Sequence, residues 1–322
     1  VKKGISFLIE GTRYNQRSPR LYWNTGWFIG HKMGIADEKE QFRRMFREDT
    51  DFHDTMADYI NMNNTRGPDG YPDNWLAAYL WYLQSEAVLE EGVPTTWLPV
   101  DINEKGYADK RRSSVIFNSD PSMALISHAD AVTKDYTPGE KTRNAWRRAG
   151  EEWAKFGSMD VPTSWGHTLR LNTLEQYQTE EKTWRDKLEA MDPGLRERIR
   201  ERRLEALSPE ERAAWETEKP MEAMSDDEQM LRGIAFRKLS VSDLEVAEEM
   251  PEDKRPTARY YATKAGEAGV MADRIEAYRM QINYAYWATR CEVEQSKVTA
   301  DARRFMRFAD EKAEAGDPEG AR

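Results

Sequence analysis

Residues 145–157 read AWRRAGEEWAKFG. Two tryptophans stand seven apart in a charged stretch, with a glycine midway between them and another four past the second. On a helix, Trp146, Ala149, Gly150 and Trp153 fall at i, i+3, i+4 and i+7 and share one face. Two large rings then flank a patch with almost no side chain, against which a second helix can press its backbone. The stretch predicts the first helix of a tightly packed helical hairpin, ended by Gly157.

The rest of the chain agrees with a helical reading. Its 322 residues suffice for one large domain, two smaller ones or a repeat array. With 11 Trp, 14 Tyr and 10 Phe it is too aromatic for a disordered chain. Capping signals recur at Asp120-Pro121, which predicts a helix start, and in boxes at Ser208–Glu211, Ser225–Glu228 and Ser242–Glu245. No segment alternates with period two, so the chain reads as all-α. Residues 66–73 (RGPDGYPD) read as a loop, residues 92–119 as a long irregular connection, and Asp192-Pro193-Gly194 and Met250-Pro251 as joints. Leu174, Tyr177, Trp184, Leu188 and Met191 form one helical stripe. A single long helix is predicted near 257–298, with stripes Ile275, Tyr278, Ile282, Ala285, Thr289 and Met280, Tyr284, Trp287, Cys291. Residues 195–250 read as short charged helices.

The net charge of −10 disfavours nucleic-acid binding, which needs a positive surface. The basic patches at 110–112, at Arg143 with Arg147 and Arg148, and at Arg196–Arg203 are local. The last is interleaved with Glu197 and Glu201 and reads as an ion-paired helix face. Cys291 is the only cysteine, which excludes an intrachain disulfide and cysteine-based metal sites. No apolar run approaches the roughly 18 residues of a membrane helix. The start at Val1 suggests a processed or truncated product, leaving a tethering segment upstream open; a cytoplasmic setting is expected.

The 145–157 pattern resembles the first helix of a tetratricopeptide repeat. Tyr22, Thr25-Gly26 and Ile29, followed by Met33-Gly34, echo it near the start. Phe305, Phe308-Ala309, Lys312 and Gly316 echo it near the end, where Asp317-Pro318 and Ala321 look like the opening of a second helix cut off in mid-repeat. Generic packing of aromatics on glycine is the plainer alternative. More broadly, FLIEGTRYNQRSPRLYWNTGWFIGHKMG (7–34), EQFRRMFREDTDFH (40–53), SDPSMALI (119–126), AWRRAGEEWAKFG and NYAYWATRCEVEQ (283–295) resemble a family of long, uncharacterised planctomycete proteins. The resemblance spans about residues 1–316. It implies a tetratricopeptide-like fold, a longer full protein and no activity to carry over. Some members bear a label mentioning iron-responsive elements, but an aconitase-like RNA regulator needs three cluster-ligating cysteines.

Catalytic motifs are missing. His31, His53, His128 and His167 form no HExxH or other paired motif, and no GxSxG elbow surrounds Ser113, Ser114, Ser119 or Ser127 near His128. Ser119 and Asp120 read as helix caps. The Glu48–Asp54 cluster with His53 offers ligands for a divalent cation but lacks the glycine and distal glutamate of an EF-hand; a solvated capping turn explains it as well. Trp23 and Trp27 share a helical face and suggest an aromatic cage, although aromatic stripes at that spacing are commonly core.

These readings give an all-α, irregular tetratricopeptide-like helical-hairpin array with a charged helical insertion. Residues 1–160 form the repeat-like region, 161–255 the insertion or arm, and 256–322 the C-terminal helices. The function expected is non-enzymatic: a scaffold binding a protein or peptide partner, with no cofactor or metal. By the repeat resemblance, the groove falls on Arg20, Trp23, Trp27 and His31, and on Asn144, Arg147, Glu151 and Lys155. The alternatives are self-association as a subunit of a larger assembly, and metal binding at Glu48–Asp54.

Overall fold

Capping residues and helical apolar spacing cut the chain into short and medium helices. The computed structural model describes residues 1–90, 115–163, 168–317 and 319–320. Before residue 160 these are α1 (Lys2–Tyr14), α2 (Pro19–Trp27), α3 (Lys39–Glu48), α4 (Thr50–Met56), α5 (Asn74–Glu90), α6 (Val115–Asp135) and α7 (Glu140–Ser158). Strands β1 (Val161–Pro162) and β2 (Thr168–Leu169) form a minimal antiparallel pair. Then come α8 (Leu174–Glu189), α9 (Leu195–Glu205), α10 (Pro209–Glu216), α11 (Asp226–Leu239), α12 (Asp243–Glu249), α13 (Arg255–Gln281), α14 (Tyr284–Glu294) and α15 (Lys297–Glu314). Apart from that strand pair and an isolated bridge inside the 66–73 loop, the described residues are all-α. No described helix is long and apolar enough to cross a membrane.

The chain divides into two units: residues 1–172 with 277–322, and residues 173–276. This differs from the expected boundaries at 161 and 256. The strand pair belongs with the first unit, and Ala258 and Ala262 of α13 share a core with the charged helices. Residues 277–322 join the N-terminal helices because α14 packs on α7.

In the first unit, helices pack as antiparallel pairs. In α6–α7, Trp146 Nε1 donates to Thr133 Oγ1 at 2.8 Å and Ser122 Oγ donates to the Glu152 carbonyl at 3.2 Å. In α2–α5, Gly26 lies so close to α5 that a Cβ there would sit 3.0 Å from the Ala78 carbonyl oxygen. Trp75 closes over Gly30 and Gly34 in the same way. The third pair answers the opening pattern. Trp146, Ala149 and Trp153 are buried, and a Cβ on Gly150 would meet Cys291 Cβ of α14 at 3.2 Å. Trp153 stacks on Tyr284 with centroids 5.5 Å apart and donates through Nε1 to the Tyr284 carbonyl at 3.1 Å.

Four expectations change here. Gly157 does not end α7; it lies buried within the helix, where the Tyr284 hydroxyl occupies the space of a side chain. The distant partner of α7 is α14 rather than a following helix. Pro121 sits inside α6 rather than at its start, so α6 forgoes one internal hydrogen bond while Ser119 and Ser122 are buried around it. Finally, the long helix near 257–298 is broken at Asn283, whose φ of 51° and ψ of 43° are left-handed. Asparagine tolerates that region better than most residues. Past the break the buried face switches: Tyr284 and Cys291 are buried, whereas Ala285 and Thr289 are exposed.

In the second unit, Leu188, Leu195, Ile199, Val246, Ala247 and Met250 form one small core, and Leu207, Ala235 and Leu239 another. The stripe on α8 holds in part: Leu174 and Leu188 are buried, Tyr177, Trp184 and Met191 half-buried. All three serine capping boxes form. The basic run at 196–203 is ion-paired, but across helices: Arg196 to Asp243 at 2.5 Å, Arg202 to Glu249 at 3.0 Å and Arg203 to Glu245 at 2.5 Å.

The α7–α14 contact yields a direct test. Gly157→Ala places a methyl against Tyr284 and costs about 1–3 kcal/mol by overpacking. Removing the hydroxyl with Tyr284→Phe in the same chain restores part of that loss. Urea unfolding of the two single variants and the double variant measures it; additive losses would contradict the contact.

Candidate functional site

Three backbone irregularities meet at one cleft of the first unit. The first follows α2, where residues Phe28–Lys32 form a π turn. Such a turn leaves carbonyls without their usual partners, and Asn74 repairs it by donating through Nδ2 to the Ile29 and Gly30 carbonyls at 3.3 and 3.4 Å. The second is Pro121 within α6, next to Asp120. The third is left-handed Asn283. His31, Asp120 and Asn283 all line a cleft of about 330 Å³, together with Trp75, Met123, Ser127 and Trp287. A neighbouring cleft of about 270 Å³ shares the walls Ile35, Trp75, Ser127 and Trp287 and ends at Lys39, Arg43, Asp130, Lys134 and Arg290.

The aromatic wall is ordered by hydrogen bonds. Trp27 and His31 stack with centroids 4.8 Å apart, and His31 meets Trp75 edge-on at 6.0 Å. His31 Nδ1 lies 3.2 Å from the Trp27 carbonyl, which can only accept, so Nδ1 carries the proton. Burial holds the imidazole below its ordinary pKa of 6.5, against that hydrogen bond. At neutral pH the ring is therefore uncharged, and Nε2 is left as an acceptor. Trp23 Nε1 donates to Asp120 at 2.6 Å, tying α2 to α6.

Beneath the second cleft lies a buried ion network. Asp73 precedes α5 and accepts from the Trp75 and Leu76 amides at 2.9 and 3.2 Å. His128 Nδ1 is 3.1 Å from Asp73 Oδ1, and Arg43 is 3.3 Å from Oδ2. Burial raises the Asp73 pKa, but His128, Arg43 and the amides outweigh it and hold the carboxyl at about 2. His128 is thus partnered by a carboxylate and not by the nearby serines.

The expected site residues separate. Trp23, Trp27 and His31 stand at or behind the cleft wall, and Arg20 is exposed on α2. Asn144, Arg147, Glu151 and Lys155 are exposed on the outer face of α7 and line neither cleft. Neither of the suspected cage pair lines the cleft: Trp27 stacks on His31, which does, and Trp23 donates to Asp120. The suspicion missed Trp75 and Trp287, which come from distant segments. The spacing Gly26, Gly30, Gly34, one helical turn apart, is the sequence signal that could have located the α2–α5 contact.

The Glu48–Asp54 cluster is dispersed. Asp49 caps α4 through the Phe52 amide and pairs with Lys2 at 2.5 Å, and His53 is buried against Phe46. Among the described residues no group of three His, Cys, Asp or Glu could hold a metal ion. Cys291 is buried, which pushes its thiol up to about 11, outside the reactive range. His167, Ser113, Ser114 and the 110–112 patch lie outside the described residues, as does most of the connection expected at 92–119.

The titrations set a two-stage acid response. His31 and His53 are both held below 6.5 by burial, so the unfolded chain binds those protons more readily. Their contribution is complete above about 6.5 and lost as pH falls through their folded values. Asp73 is depressed from 3.8 to about 2, so its contribution is complete above 3.8 and lost towards pH 2. Asp49, Asp69, Asp130 and Glu245 are depressed too, so Asp73→Asn should remove about 2 kcal/mol at neutral pH and shrink the second stage, read by urea unfolding from pH 7 to acid; an unchanged acid stage would contradict the network.

Compared with protein-family models, with curated proteins and with solved structures, the chain matches none.

Proposed function

We propose that this chain is a non-enzymatic helical scaffold that holds a peptide or protein partner in the cleft between the π turn, α6 and the start of α14. The observation that carries this reading is the meeting of a π turn, an in-helix proline and a left-handed asparagine on one aromatic-walled cleft. Regular helices would pack more favourably there, and strain kept at one place is expected where it serves binding. The exposed Ile35 at the rim, with Trp75 and Trp287 behind it, offers an apolar seat. On this reading the antiparallel pairs α2–α5, α6–α7 and α7–α14 are an irregular, tetratricopeptide-like array, akin to the planctomycete family that the sequence resembles. Close approach at glycine in α2–α5 and α7–α14 supports that reading. The α14 partner of α7, far away in sequence, makes the array non-tandem.

Filling the cleft tests the proposal. Ser127→Trp is expected to lose a partner that the unaltered chain captures from native extract, while helicity by circular dichroism is kept. Arg147→Glu with Lys155→Glu tests the outer face of α7 in parallel. A partner retained by both variants would overturn the groove reading at both surfaces.

A second reading rests on α15. Val298, Phe305, Met306 and Phe308 are all more than half exposed on this helix, and apolar surface of that kind favours association. It supports a role as a subunit of a larger assembly. Light scattering over a concentration series would show mass rising for the unaltered chain and not for Phe305→Glu; a constant monomer mass contradicts it.

A further inference from the structure

The cleft has unlike ends, and the difference points to the chemistry of its occupant. The His31 end is lined by aromatic, apolar and uncharged polar side chains, with Asp120, whose carboxylate accepts from Trp23, as the only charged residue lining it. The other end carries Lys39, Arg43, Lys134 and Arg290 in a chain whose net charge is −10. Most of that positive charge is spent. Asp130 holds Lys134 at 2.6 Å and Arg290 at 2.5 Å. Arg43 is held by Asp73 at 3.3 Å and Asp135 at 3.0 Å. Arg290 also lies 3.9 Å from Glu294, so each of these three has a carboxylate, and the cation left is Lys39, which has no ion-pair partner among the described residues.

We infer that the Lys39 end is a subsite for a single carboxylate, and that the occupant is an acidic peptide segment with a bulky apolar residue beside its Asp or Glu. This rests on the peptide-binding reading and deepens it. One unpaired cation suits a monoanion better than a doubly charged phosphate, which would leave one charge uncompensated against the low-dielectric walls of Trp75 and Trp287. The shared walls Ile35, Trp75 and Trp287 connect the two ends, so one short extended segment reaches both. Arg290 adds rigidity: it lies over the Trp287 ring at 5.5 Å and the Trp146 ring at 4.9 Å.

The test compares two synthetic peptides by calorimetry on the full chain: acetyl-Phe-Glu-Phe-Glu-amide and its neutral counterpart acetyl-Phe-Gln-Phe-Gln-amide. The acidic peptide is expected to bind about tenfold more tightly, with the preference shrinking in about 1 M salt. Lys39→Gln changes an exposed side chain without an ion-pair partner, so the fold is kept, and it is expected to equalise the two peptides. Equal binding to the unaltered chain, or an acidic preference that survives Lys39→Gln, overturns the carboxylate subsite while leaving the peptide cleft standing. No binding of either peptide overturns the peptide-binding reading of this cleft as well.

Discussion

The cleft depends on one contact: α14 lying directly on the backbone of α7. Gly150 and Gly157 remove the side chains that would hold the helices apart, and Trp153 stacks on Tyr284 in the space between. This single pairing joins residues more than a hundred positions apart. It also fixes where Asn283 and Trp287 stand, one at the mouth of the cleft and one in its wall. A looser pairing would leave the cleft without its α14 side. Arg143 reinforces the pairing by donating to the Gln295 carbonyl at 3.0 Å, and Arg303 with Arg290 encloses Glu294 at the far end of α14.

Much of the helical architecture was legible because it is local. Capping serines are read one at a time, and the boxes at 208, 225 and 242 form as read. The buried face of Trp146, Ala149 and Trp153 followed from spacing alone. What failed was non-local. Nothing near residue 150 says that its partner begins at Tyr284. The apolar spacing continues smoothly across Asn283, and only the backbone of that one residue reveals that one helix has become two. Pro121 misled because a proline at the first helical position and a proline tolerated inside a helix have the same local sequence. In the fold Ser119 and Ser122 are buried on either side of Pro121.

The cleft shows the same division. Trp23 and Trp27 drew suspicion from their spacing on α2; the cleft wall itself holds His31, on which Trp27 stacks. The charged end could not be read, because Lys39, Arg43, Lys134 and Arg290 come from three helices and each looks like ordinary surface charge in its own segment. The groove positions carried over onto α7 by analogy lie on a different surface, exposed on the face of α7 that neither α6 nor α14 covers. Buried polar groups tie the helices beneath the cleft: Asp73 pairs with both His128 and Arg43 and so links α3 and α6 to the start of α5.

The measurement that bears most directly on this account is amide hydrogen exchange on the chain alone and bound to its captured partner. Slowed exchange concentrated in residues 27–35, in α6 near Ser127 and in the first turns of α14 is the predicted result. Slowing confined to α15, or to residues 173–276, with the cleft segments unchanged, would contradict it.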